Sequence, residues 1–291
     1  MRESGQTTKK TLLVAALATF WVHFTTPPAL AAEIRLTIEN LAPDTGLFLT
    51  PMWIGLHDGT FDLFNIGSPA SAGLESLAED GATAGVMSEF TTGAPGGVQT
   101  TVLAPGGFGG APVIDPGERV TVTLNVNPLT NRYLSYASMV IPSNDAFIAN
   151  DDPLAHEVFD AAGNFTSPVF LTVPGSGALD AGTEDNTELE AAFINQTAPN
   201  TGTTTVGGVV SLHPGFLDSF AGPSGTPIIL GGTTVAGTFL DPVLADFTRP
   251  GTLLARITVT PTPSGFAAAG VGLALLLARR LMPRRIKRER V

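Results

Sequence analysis

Short stretches of alternating apolar and polar residues fill the middle of the chain and indicate β-strands. In Arg119–Val126, valine and leucine alternate with threonine and asparagine, so one strand face is expected to be buried and the other solvated. Glycine and proline interrupt the apolar runs at short intervals, which is typical of all-β proteins with many turns. The predicted strands are Glu33–Asn40, Phe48–Leu56, Arg119–Val126, Tyr133–Ile141, Val206–Ser211 and Leu253–Thr260.

Helical periodicity is sparse. Ser71–Asp80 carries apolar residues at helical spacing and is followed by Gly81, a suitable C-cap, so one short helix is predicted there. Gly93–Gly110 is rich in glycine and proline and is interpreted as a loop. Residues 142–205 are rich in Asp, Asn, Gly and Thr and are interpreted as long acidic loops. The expected fold is therefore all-β: an antiparallel β-sandwich with long acidic loops and one short helix.

The N-terminus has the pattern of a secretory signal peptide. Lys9 and Lys10 precede an apolar run at Leu12–Phe24, and Ala29-Leu30-Ala31 forms a small-residue cleavage site. The alternative is an N-terminal membrane anchor, but the run of about 13 residues is shorter than the roughly 20 that a spanning helix needs. We therefore predict a signal peptide at 1–31 and a protein exported to the cell surface or the extracellular space.

The C-terminus resembles a membrane-sorting segment. An apolar stretch at Gly265–Ala278 is followed by seven basic residues within 279–291, an order that places the body outside and the tail in the cytoplasm. A buried helix is the alternative, but so many charges oppose burial in a core. The predicted organisation is a signal peptide at 1–31, one domain at 32–260 and a sorting or membrane-anchor segment at 261–291.

The central body is strongly acidic. Of 26 Asp and Glu residues only Glu3 and Glu289 lie outside residues 32–264, and five of the 15 Lys and Arg residues lie inside, giving that body a formal charge of −19. Such a surface disfavours nucleic acid, whose phosphates require basic partners, and suits cations. The chain has no cysteine, which excludes disulfides, thiolate metal sites and cysteine catalysis.

Acidic loops carry the most informative candidate chemistry. Asp145 follows an apolar strand, and Asp180 and Glu184 are separated by a glycine-containing turn. Calcium prefers carboxylate and carbonyl oxygens, so these loops could gather around one ion. Solvated acidic loops and a glycosidase carboxylate pair are the alternatives. His57, His156 and His213 show neither zinc-site spacing nor a nucleophile-elbow motif nearby, and they are interpreted as structural residues.

Several blocks, in order along residues 33–260, together resemble the spondin domain in its bacterial exported type. The opening block includes the segment LTPMWIGLHDG and ends in the helix end LAEDG; SMVIPSNDAF, DAGTE and HPGF follow, and LARITV closes the domain. These blocks lie at Leu49–Gly59, Leu77–Gly81, Ser138–Phe147, Asp180–Glu184, His213–Phe216 and Leu254–Val259.

This resemblance implies a sandwich similar to the calcium-dependent phospholipid-binding modules and one calcium ion held by Asp145, Asp180 and Glu184. Glu184 stands where the family has aspartate, and Ala146 where it has tryptophan. The tail resembles the PEP-CTERM sorting signal, which implies processing by an exosortase-type enzyme, although Pro261-Thr262-Pro263 lacks the glutamate of the eponymous motif.

The expected function is a non-catalytic adhesion or interaction module at the cell surface or in the extracellular matrix, stabilised by calcium, with an unidentified extracellular partner. Two alternatives remain open on the sequence. One is a secreted hydrolase that uses the acidic loops, and the other is a metal-free structural surface protein.

Overall fold

The computed structural model describes residues 31–262, except 107, 167–168 and 218–221. Within these residues, the chain forms two antiparallel sheets and two short helices, so the fold is all-β as predicted, with one helix more than expected. The strands are β1 (Ala32–Asn40), β2 (Phe48–Leu49), β3 (Met52–His57), β4 (Val98–Val102), β5 (Arg119–Val126), β6 (Tyr133–Ile141), β7 (Ala146–Ala149), β8 (Val169–Pro174), β9 (Leu179–Asp180), β10 (Ser211–Leu212) and β11 (Leu253–Pro261).

The smaller sheet has the strand order β5-β1-β11-β8. Its central strand β1 alternates strictly, with Ile34, Leu36 and Ile38 fully buried and the intervening side chains directed to solvent. The alternation follows from the two-residue period of a strand, which places successive side chains on opposite faces. One face of this sheet therefore belongs to the core and the other is solvated.

The larger sheet has the order β10-β9-β7-β6-β3-β4, with β2 also paired to β6. Both faces of its centre are covered, because every residue of β3 is buried. Ile54 and Leu56 pack in the cluster that contains the buried face of β1, which joins the two sheets into a sandwich. Trp53 points to the opposite face, into a second apolar cluster beneath the helices.

Two helices, α1 (Ala72–Asp80) and α2 (Ala84–Gly93), cover that outer face. The Ser71 side chain caps α1 by accepting the Leu74 N–H, and Gly81 ends it with a left-handed φ of 68°. The two helices cross closely at Gly73, where a Cβ would lie 2.7 Å from the Gly85 carbonyl carbon. α1 confirms the predicted helix.

Three sequence-based predictions of local structure are wrong. The segment Gly93–Gly110 is not one loop, because α2 ends at Gly93 and β4 lies within the segment. The acidic segment 142–205 contains the short strands β7, β8 and β9. The predicted strand Val206–Ser211 is mostly irregular, because Gly207 adopts a φ of 70° and only Ser211 enters β10.

Both predicted targeting segments lie largely outside the described residues. The signal-peptide prediction falls on residues 1–31, of which only Ala31 is described, and the sorting segment at 261–291 is described only at Pro261 and Thr262. In the described part of the chain, neither helix has the length and apolar character required to span a bilayer.

Candidate metal centre in the acidic loops

The pairing of three short strands places the first two predicted ligands side by side. Asp145 immediately precedes β7, and Asp180 ends β9, where it pairs with Ala146 of β7 and Ser211 of β10. The backbone N–H of Ala181 donates to the carbonyl of Asp145 at 3.2 Å. Residues 35 positions apart in the chain are therefore neighbours at one end of the larger sheet.

Asp145 is fully buried, and its two carboxylate oxygens have different environments. Oδ2 accepts hydrogen bonds from the backbone N–H of Thr183 at 2.8 Å, the Thr183 hydroxyl at 3.2 Å and the backbone N–H of Glu184 at 3.1 Å. Oδ1 is buried without any hydrogen-bond partner. A buried carboxylate oxygen without a donor is costly, because it has lost its hydration without replacement.

The pKa of Asp145 is raised to about 6, chiefly by burial and then by the nearby charge of Asp180. Hydrogen bonds from Thr183 and Glu184 oppose this rise but do not cancel it. The site thus contains two carboxylates whose charges repel each other in a poorly hydrated environment.

Asp180 is buried at 8% exposure and holds the loop that follows it. Its Oδ1 accepts the backbone N–H of Gly182 at 2.6 Å, and its Oδ2 accepts the side-chain amide of Asn186. A carboxylate oxygen has two lone pairs, so each oxygen retains one acceptor position.

Glu184 lies in the same buried region but has a different set of contacts. Its Oε2 accepts the side-chain amide of Asn144 at 3.3 Å, and Gly202 packs so closely that a Cβ there would overlap the Glu184 carboxylate. Burial raises the pKa of Glu184, and the charge of Asp145 raises it further. The backbone of Glu184 contacts Asp145, whereas its carboxylate extends towards Asn144.

Glu79 is a fourth buried carboxylate, which the sequence analysis did not select. It lies near the end of α1 at 4% exposure, and its pKa is raised to about 7, first by burial and also by Glu184. The Thr183 hydroxyl, which donates to Asp145, also lies beside Glu79. The helix-end block LAEDG contained this residue, but nothing in it indicated that the side chain would turn inwards.

No basic side chain compensates these carboxylates among the described residues. The three salt bridges there join Arg119 and Arg256 to Glu39 and Arg132 to Glu157. Buried charges in proteins are normally paired, protonated or bound to a metal. The buried acidic centre, defined as Glu79, Asp145, Asp180 and Glu184, therefore requires either protons or a cation.

His213 lies next to this centre. It is 8% exposed, its Nδ1 accepts the Gly215 N–H at 3.0 Å, and its Nε2 is buried without a hydrogen-bond partner. Burial lowers the pKa of His213 to about 4, although the charge of Asp180 acts in the opposite direction. The ring is therefore neutral at pH 7 and supplies no compensating charge.

The other two histidines of the domain, His57 and His156, contact neighbouring side chains within the fold. The His57 Nε2 hydrogen-bonds the Ser135 hydroxyl at 3.0 Å, and its Nδ1 accepts the Gly59 N–H. His156 packs beside Tyr136, with ring centroids 6.0 Å apart. Burial lowers the pKa of both histidines.

Within the described residues, no set of three or more Asp, Glu, His or Cys side chains is close enough to enclose a metal by itself. Calcium sites also use backbone carbonyl oxygens, whereas Asn144 and Asn186 turn their amide NH2 groups towards Glu184 and Asp180. The carboxylates of Asp145 and Asp180 offer oxygen ligands, which are the ligands that calcium prefers. The unpartnered Asp145 Oδ1 fits a cation, which would replace its missing hydration.

Taken together, fold and site define an antiparallel β-sandwich protein with a buried acidic centre where its short strands end. The Spondin_N family model matches residues 46–206, more than half of the chain. The chain belongs to the Spondin_N family, and the match includes all four carboxylates of the buried acidic centre. No curated protein matches the chain.

Domains of this family are typically extracellular interaction modules of the adhesion type and are not enzymes. The matched segment does not include β1, β10 or β11, which pair with the rest of the fold and complete its two sheets.

Proposed function

We propose that this protein is a non-catalytic adhesion module, exported to the cell surface or matrix, whose loops are braced by one calcium ion. The observation that supports the ion most directly is the buried, unpartnered Oδ1 of Asp145 beside the carboxylate of Asp180. Asp145, Asp180 and Glu184 are the proposed ligand residues, with backbone carbonyl oxygens completing the shell.

A cation satisfies this centre better than protons do. The pKa of Asp145 is about 6, so at neutral pH its carboxyl group is mostly ionised, and this charge has no basic partner. One divalent ion would neutralise two carboxylates at once and remove the repulsion between Asp145 and Asp180. Asp145 would then hold the loop with Oδ2 and the ion with Oδ1.

The ion would add a further link between segments that already contact each other through Asp145 Oδ2. Asp145 belongs to the turn before β7, whereas Asp180 and Glu184 begin the loop that leads to β10. A ligand that binds only the folded state stabilises it by mass action. In a body with a formal charge of −19, neutralising buried carboxylates also lowers the internal repulsion.

The burial of these residues supports the metal over a glycosidase-type hydrolase. Asp145 and Asp180 are 0% and 8% exposed, and a substrate sugar needs an open cleft between two carboxylates. Surface depressions around Leu41, Thr37 and Phe193 are lined by other residues. We further propose that the C-terminal segment attaches the protein to the membrane or is processed by an exosortase-type enzyme.

The proposal is tested by titrating calcium into the chelator-treated full chain and measuring binding by isothermal titration calorimetry. Wild type is expected to bind one calcium ion, and Asp180→Ala is expected to lose that binding. The matched control is Asp185→Ala, because Asp185 is exposed and contacts the Thr205 hydroxyl instead. Absence of calcium binding by wild type, or equal binding by Asp180→Ala, would overturn the assignment.

A further inference from the structure

The arginines of the acidic body are unevenly distributed. Three of its five basic residues occupy the solvated face of the smaller sheet: Arg35 on β1, Arg119 on β5 and Arg256 on β11. The acidic residues on the same strands are Glu33 and Glu39. This face therefore has a local excess of positive charge on an otherwise strongly acidic protein.

Two of these arginines converge on one carboxylate. Glu39 pairs with Arg119 on one side and Arg256 on the other, as the strand register dictates. The Arg119 Nη2 lies 3.1 Å and the Arg256 Nη1 lies 3.3 Å from the same oxygen, Glu39 Oε2. Each guanidinium has five donors, so both retain N–H groups for a ligand, and their side chains are 61% and 41% exposed.

A phenylalanine ring lies beside these paired arginine and glutamate side chains. Phe170 on β8 is 66% exposed and is paired with Thr258, two register positions along from the pair Arg256 and Thr172 and therefore on the same face of the sheet. The hydroxyls of Thr37 and Thr121 continue the same row and contact each other at 2.9 Å. A shallow depression of about 260 Å³ is lined by Arg119, Arg256, Glu39, Phe170, Thr37 and Thr258.

We propose that this face, called the arginine–threonine face, binds an acidic polysaccharide through its uronate carboxylates. The guanidiniums of Arg119 and Arg256 would bind the carboxylate of a sugar unit, because guanidinium and carboxylate form charge-assisted pairs. Phe170 offers an exposed apolar ring for the C–H face of a sugar, while Glu39 Oε1 and the threonine hydroxyls are available to sugar hydroxyls. This inference rests on the proposed role in adhesion and names the class of partner, but does not depend on the calcium centre.

The sheet geometry favours a sugar polymer over an acidic peptide. Peptides that bind sheets usually add a strand at an exposed edge, where the main chain finds unpaired donors and acceptors. The depression instead lies over β1 and β11, which are interior strands with partners on both sides. Only side chains are available there, and their hydroxyls, carboxylate and guanidiniums match a hydroxyl-rich, carboxylated ligand.

The overall negative charge does not prevent this binding at ordinary salt. At an ionic strength of about 0.15 M the Debye length is about 8 Å, so distant carboxylates are screened while the arginines act at contact. Very low salt would extend the repulsion between the acidic body and an anionic polymer. The proposed interaction is therefore expected to be strongest at intermediate salt and weaker at both extremes.

The test is equilibrium binding of the full chain to immobilised hyaluronan, a glucuronate polymer, with neutral dextran and poly-glutamate for comparison. At about 0.15 M salt and with calcium present, wild type is expected to bind hyaluronan only. Arg119→Gln, Arg256→Gln and Phe170→Ser are each expected to weaken binding about tenfold. Arg249→Gln is the matched control, because it removes the same charge from an exposed site elsewhere.

Three outcomes would overturn the inference: no binding to hyaluronan, equal binding to poly-glutamate, or an equal loss in Arg249→Gln. The calcium dependence of unfolding is measured on the same samples. If calcium still stabilises the protein while hyaluronan does not bind, the arginine–threonine face is refuted and the calcium centre stands. If hyaluronan binds but calcium has no effect on unfolding, the calcium centre is refuted and the arginine–threonine face stands.

Discussion

The carboxylate of Asp145 accepts the backbone N–H of Glu184 at 3.1 Å, so two of the predicted ligand residues are joined through the main chain. With the two hydrogen bonds from Thr183, this contact folds the loop after β9 around a single buried oxygen. The second oxygen of Asp145 has no protein partner. One side chain therefore has a structural function at Oδ2 and, in our account, a metal-binding function at Oδ1.

Two substitutions of Asp145 separate these functions. Asp145→Asn keeps an acceptor for the loop but loses the charge, so in chelator its unfolding free energy should stay within about 1 kcal/mol of wild type. Asp145→Ala leaves the Thr183 and Glu184 donors unsatisfied and should lose about 2–4 kcal/mol. Urea unfolding measures both, and both should lose the response to calcium. Equal losses for the two variants in chelator would contradict the separation.

Glu79 should make stability depend on pH in a defined direction. Its folded pKa of about 7 lies above the ordinary value of 4.5, so the folded state retains a proton that the unfolded state releases. Its contribution to stability is therefore lost as pH rises from about 4.5 to 7.

Glu79→Gln removes this effect. In chelator, the variant should be more stable than wild type by about 1 kcal/mol at pH 7.5, after allowance for solvent screening, and similar to it at pH 4.5. Urea unfolding at the two pH values measures the difference, and the histidines contribute equally to both proteins. A variant that is less stable than wild type at pH 7.5 would refute this interpretation.

Glu188 holds together the long connection between the acidic loops and β11. Its buried carboxylate accepts the backbone N–H of Leu217 at 2.6 Å and of Ile229 at 3.2 Å. Glu188→Ala should reduce the unfolding free energy by about 2–3 kcal/mol, because it leaves both donors without their partner. Chemical denaturation checks the value. Glu190→Ala, which loses only a 3.5 Å contact with Thr187, should change stability by less than about 0.5 kcal/mol.

Gly55 is required by the packing of two aromatic rings on the helix-covered face of the larger sheet. A Cβ at this position would lie 2.6 Å from Trp53 and 2.7 Å from Phe90. Gly55→Ala should therefore destabilise the protein by about 1–3 kcal/mol through overpacking. The control is Gly177→Ala, where the nearest atom would be 3.7 Å away, and thermal unfolding should show little change there.

The long strands were predictable from sequence because their alternation has a direct physical cause. β1 and β11 have one buried and one solvated face, and β5 has one half-buried and one exposed face, so apolar and polar residues alternate with a period of two. α1 was predictable from its periodicity and Gly81. α2 was not, because its N-cap Thr83 makes no side-chain capping bond and it follows α1 after a short turn. β9 and β10, of two residues each, depend on tertiary pairing rather than on local pattern.

For the candidate site, the motif blocks selected Asp145, Asp180 and Glu184, and the structure brings the first two together through β7 and β9. The sequence could not indicate that Glu79 turns inwards or that Oδ1 of Asp145 lacks a donor. Both properties arise from the packing of α1 and the loop after β9 against the sheet end, which depends on residues distant in the chain.

Thermal unfolding of the full chain, in chelator and in excess calcium, shows whether a calcium ion stabilises the buried acidic centre. We expect calcium to raise the melting temperature of wild type, Asp180→Ala to abolish this rise, and Asp185→Ala to preserve it. Identical melting of wild type with and without calcium would contradict this expectation.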